Sequence, residues 1–142
     1  MRLTPLPSVA RTSRKKPREA GHLYVRPLPA QPEMLNRCVL IVRPRQPFLD
    51  WAAQLDDSGL VPDVRGEQTV YLVPEFDDDG EAEEVLQRVF AEVFERELFG
   101  WHTDASAWPP KRSLALFRRW FDIELHSVVE DLCDIELVDD EA

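Results

Sequence analysis

The sequence predicts one small α/β or α+β domain, a three- to four-stranded sheet with helices packed on it, in the order β-α-β-α-α-β. Three observations carry this expectation. Two short apolar runs rich in β-branched residues, Cys38–Val42 and Thr69–Val73, each stop at or close before a proline, Pro44 and Pro74. Two longer segments, 46–55 and 81–99, carry their apolar residues at helical spacing. The charge also changes sign near residue 34. The first 33 residues hold seven basic and two acidic side chains, a net of +5, while the whole chain is −10, so residues 34–142 carry −15.

The basic part, residues 1–34, has no apolar periodicity that builds a core. It reads as a disordered, Pro-containing arm. Its run Arg14-Lys15-Lys16-Pro17-Arg18 is either a tether for nucleic acid or another anionic surface, or part of a mis-called start. The second alternative is favoured, with Met34 as the expected true start, because the first ordered-looking segment follows it directly. The arm is too polar for a secretory h-region, and its prolines oppose the amphipathic helix of a transit peptide. No apolar run reaches the length of a membrane span, so a cytoplasmic setting is expected.

Residues 35–142 form the expected single acidic domain, with all four Trp and all seven Phe residues as core material. Cys38–Val42 suits a strand covered on both faces. A helix follows, with Pro47 in its first turn and Phe48, Trp51, Ala52 and Leu55 on one face. Gly59 is available to end it in the left-handed conformation. After a loop comes the second strand, 69–73, and then an acidic turn, 75–80. A helix over 81–99 has a stripe of Val85, Leu86, Val89, Phe90, Val93 and Phe94, with acids in its first turns. A Trp-bearing loop, 100–110, precedes a short helix over 111–120.

Phe121–Asp131 is the hard segment. As a strand it puts Phe121, Ile123 and Leu125 on one face and Asp122, Glu124, His126, Val128 and Glu130 on the other. As a helix, Glu124 and Asp131 would intrude on the apolar side. The alternation is cleaner, so a strand is expected. Ile135, Leu137 and Val138 could add one short strand. The helix between the first two strands is long enough to cross over, which permits a parallel unit.

The segments NRCVLIVRPRQPFLDW, TVYLVPE, FERELFGWHTDASAWP and WFDIELHSVVEDL resemble a family of small bacterial α/β proteins with no assigned function. The resemblance covers about residues 35–133. It implies a bacterial cytoplasmic domain and supplies no catalytic residue.

Candidate chemistry is sparse. Asp122, Glu124 and His126 on one strand face are plausible ligands for a divalent metal, with His102 and Asp104 able to complete the set. Any half-exposed strand shows such alternation, however. Asp77-Asp78-Asp79-Gly80-Glu81 resembles the opening of a calcium loop but lacks the alternation and the final bidentate Glu. It reads instead as a solvated turn entering a helix. Arg43 and Arg45 at a strand end could grip a carboxylate or phosphate, but without a Gly-rich loop they are expected to pair with the abundant carboxylates. Ser113 and Ser127 lack a nucleophile context. Cys38 and Cys133 read as small hydrophobes in a reducing compartment, with a single disulfide as the alternative.

The acidic domain would repel nucleic-acid phosphates and attract a basic protein. Two functions are carried forward. One is a non-catalytic protein-interaction or accessory module with no cofactor, whose partner is a basic protein or a second copy. The other is a metal-assisted hydrolase built on Asp122, Glu124 and His126.

Overall fold

The computed structural model describes residues 33–63, 65–66 and 68–139. The expected arm therefore lies almost wholly outside the described residues. The elements run β1 (Glu33–Met34), β2 (Cys38–Pro44), α1 (Gln46–Gln54), β3 (Val70–Val73), α2 (Asp79–Trp101), a 3-10 turn (Ala105–Ala107), α3 (Leu114–Trp120), β4 (Phe121–His126) and β5 (Glu130–Asp131). From β2 to β4 this is the predicted order β-α-β-α-α-β.

The main sheet has the order β3-β2-β4 and is antiparallel throughout, so the class is α+β. The parallel crossover is not used. Ile41 near the end of β2 faces Val70 at the start of β3, so α1 and its loop return the chain to the end of the sheet that it left. Pro44 closes β2 opposite Phe121, where a missing N–H costs the ladder least.

Local chemistry sets the helix boundaries. Pro47 lies in the first turn of α1, where its missing donor is not needed. Gly59 does take the left-handed conformation, φ +72°, but it lies in the turn beyond α1 and does not cap it. At the start of α2, the Asp78 carboxylate accepts from Glu81 N–H (2.8 Å), and the Glu81 carboxylate accepts from Asp77 N–H (2.9 Å). The acidic run is thus a reciprocal cap. Ser113 caps α3, its Oγ accepting from Leu116 N–H at 3.1 Å. The chain then passes from α3 into β4 with no loop, and the Arg45 N–H donates to the Trp120 carbonyl (2.8 Å) at that corner.

The helices cover one face of the sheet. Cys38, Leu40 and Val42 of β2, Val73 of β3 and Phe121 of β4 are buried there with Phe48, Leu86, Phe94, Leu98 and Phe117. Phe94, Phe117 and Phe121 form a mutual ring cluster with centroids 5.0–5.5 Å apart. Phe76, placed in the acidic turn by the sequence, joins this core. Its N–H donates to Cys38 Sγ at 3.4 Å. Both cysteines are free thiols, Cys38 buried and Cys133 half-buried. Tyr71 Oη donates to the Glu97 carboxylate, tying β3 to α2.

Two expectations need correction. The segment Phe121–Asp131 is not one strand: β4 ends at His126, and pairing resumes only in β5. Residues 135–138 form no strand. Between the pairs Met34–Glu130 and Val39–His126 lie four residues on one side and three on the other. The extra residue makes a bulge, which interrupts the ladder between the main sheet and the short β1–β5 ribbon. Within the described residues, no helix is long and apolar enough to cross a membrane.

Candidate functional site: the open face of the sheet

Among the described residues, no helix packs on the second face of the sheet. This face presents Val70 and Leu72 from β3, Val39, Ile41 and Arg43 from β2, and Asp122, Glu124 and His126 from β4. The period of two dictates this list once the opposite face is buried. Val70 and Leu72 are 55% and 52% exposed, and Val39 and Ile41 are half-buried. The expectation that β2 is covered on both faces is therefore corrected. A wholly apolar run satisfies either arrangement, because it shows no alternation from which to read an open side.

The face is graded across its strands. Aliphatic side chains occupy β3 and most of β2, and polar ones occupy β4. Cross-strand pairs bring Val39 between Leu72 and His126, Ile41 between Val70 and Glu124, and Arg43 opposite Asp122.

The three sequence-predicted residues do share this face. His126 Nε2 lies 2.9 Å from Glu124 Oε2. The ionised carboxylate can only accept, so Nε2 carries the proton in this contact. Arg43 reaches the other Glu124 oxygen at 3.6 Å. These contacts, the histidine hydrogen bond first, hold the Glu124 carboxyl below the usual range. Asp122 makes no side-chain hydrogen bond or ion pair with the described residues. No three His, Cys, Asp or Glu side chains among the described residues are grouped so as to hold a metal ion.

His102 and Asp104 are not drawn to this face by any hydrogen bond or ion pair. His102 ends α2 and is buried, its carbonyl accepting from Trp108 Nε1 at 2.8 Å. Asp104 caps the 3-10 turn, accepting from Ser106 Oγ (2.8 Å) and Ser106 N–H (3.0 Å), which lowers its pKa. Among the described residues Arg45 pairs with no carboxylate, contrary to expectation. Its guanidinium donates to the Arg118 carbonyl (3.1 Å), while Arg118 pairs with Glu83.

The exposed apolar character continues along the β1–β5 ribbon. From 128 to 133 exposure alternates, with Val128, Glu130 and Leu132 exposed and Val129, Asp131 and Cys133 half-buried. Met34 stands opposite Glu130 in the register. Met34, Val128 and Leu132 are 65%, 60% and 51% exposed. The sequence pattern had placed Val128 and Glu130 on the His126 face. The aliphatic half of the site was missed there, because Val70 and Leu72 carry no signal that separates them from core residues.

No family model, curated protein or solved structure matches this chain.

Proposed function

We propose that the domain is a non-catalytic protein-interaction or accessory module, bacterial and cytoplasmic, whose partner is basic. One observation carries the reading: a sheet that the described residues cover on one side only, its other side aliphatic along β3 and β2 and acidic along β4. Water-facing aliphatic pairs beside carboxylates suit a surface that another protein covers. The net charge of −15 over residues 34–142 would steer a basic partner to it and repel phosphate polymers.

The test is affinity purification at low salt, then reconstitution with the purified partner across a salt series. A basic partner whose affinity falls as salt rises is the expected result. Recovery of no partner, with a strictly monomeric protein in sedimentation, would contradict the reading.

The second reading is a metal-assisted hydrolase in which Asp122, Glu124 and His126 hold the ion and bound water is the nucleophile. Their common exposed face favours it. Arg43 weighs against it, since its fixed charge lies 3.6 Å from the Glu124 carboxylate and would repel a divalent cation there. Elemental analysis of protein purified without chelating resin separates the two, a stoichiometric metal supporting the hydrolase.

A further inference from the structure

The open face is more specific than a generic sticky surface, and its charge selects the occupant. Val39, Ile41, Val70 and Leu72 form two adjacent cross-strand pairs, a compact aliphatic floor. One strand away, about 4.8 Å, runs the carboxylate row of β4. Arg43 and His126 engage Glu124, but Asp122 and Glu130 carry no side-chain hydrogen bond or ion pair with the described residues. These two acids are therefore available to an incoming cation.

We infer that this face docks a basic amphipathic segment of another protein, its aliphatic side chains over β2 and β3 and its Lys or Arg side chains on Asp122 and Glu130. The inference rests on the interaction reading above and assigns that reading its surface and the chemistry of its partner. Charge complementarity decides among occupants. A second copy would bring another domain of −15 against the same carboxylates. A nucleic acid or an anionic membrane would meet the same repulsion.

The probe is a fluorescent Leu/Lys amphipathic peptide of about 14 residues, roughly four helical turns, with a Leu/Glu peptide as control. Anisotropy is followed with the full chain across a salt series. The full chain binds the Leu/Lys peptide and not the control, and added salt weakens binding. Leu72→Asp adds a negative charge, so a purely electrostatic attraction would strengthen. The docking geometry instead requires binding to weaken by about tenfold, the loss of one aliphatic anchor. Asp122→Asn with Glu130→Gln flattens the salt dependence. Val70→Ser replaces Leu72→Asp if the latter fails to fold, as judged by circular dichroism, and should weaken binding in the same direction.

Four results overturn the inference. Failure to bind both by the full chain and by the protein lacking residues 1–32 removes both the surface and the basic-partner reading. Binding that is indifferent to the β3 substitutions removes the surface alone. Binding that emerges only after residues 1–32 are deleted assigns the face to this chain's own basic segment. A dimer that Leu72→Asp converts to a monomer assigns it to a second copy.

Discussion

Arg43 decides the chemical character of the exposed face. It is the one cation on the open side of β2, and it stands beside Glu124 and opposite Asp122. The hydrogen bond from His126, and after it the charge of Arg43, hold the Glu124 carboxyl below its ordinary range. A carboxyl whose folded pKa is depressed adds stability above its unfolded range, and that stability is lost as pH falls through the folded value. Glu124→Gln should therefore lower the melting temperature slightly near neutrality and by less near pH 3, below the ordinary carboxylate range of ~4. Thermal melts of both proteins at the two pH values check this, and curves separated equally at both would contradict it. The site is exposed, so the difference is small. Phe94 is a different case. It is fully buried and touches Phe117, Trp120 and Phe121. Phe94→Ala should cost about 3–5 kcal/mol in urea denaturation. Trp120→Ala should cost less, because Trp120 is only partly buried.

At the scale of elements, β4 is the segment on which the site depends. Leu125 pairs with the fully buried Leu40, whereas Glu124 and His126 face outward. Leu125→Asp should prevent folding by placing an unpaired charge against the core, and Glu124→Ala and His126→Ala should leave the fold intact. Far-ultraviolet circular dichroism distinguishes these outcomes, and a folded Leu125→Asp protein would mean that the covered face is misassigned. The strand character of β4 was legible because Phe121, Ile123 and Leu125 alternate with Asp122, Glu124 and His126. Its end at His126 was not, since Val128, Glu130 and Leu132 continue the same alternation beyond the bulge. The stripe of α2 was legible for the same kind of reason, in Val85, Leu86, Val93 and Phe94. The open side of β2 and β3 was hidden, because uniformly apolar strands read alike whether one face is covered or two. Cap residues were half visible. The acidic run before α2 read as a helix entrance, while Ser113 was weighed only as a nucleophile, although its Oγ serves the backbone of α3.

At the scale of the molecule, every large side chain buried in the core among the described residues lies between Leu40 and Phe121. The β1–β5 ribbon adds a two-residue ladder outside that core, secured by the Leu35 N–H to Val129 carbonyl bond at 2.8 Å. Deleting residues 1–32 should leave the melting temperature within a few degrees. Deleting 1–35 removes β1, and amide exchange in residues 129–131 should then become fast while the melting temperature changes little. Protection retained at 129–131 in the shorter protein would show that β5 is held by something other than β1. Among the described residues the sheet is asymmetric, with three helices on one face and a graded aliphatic-to-acidic surface on the other. The most direct test of that asymmetry is a titration of isotopically labelled protein with the Leu/Lys peptide, read by amide chemical shifts. Shifts should concentrate in 39–43, 70–72 and 122–130 and leave the outer surface of α2 unmoved. Shifts centred on α2, or spread evenly over every acidic residue, would contradict it.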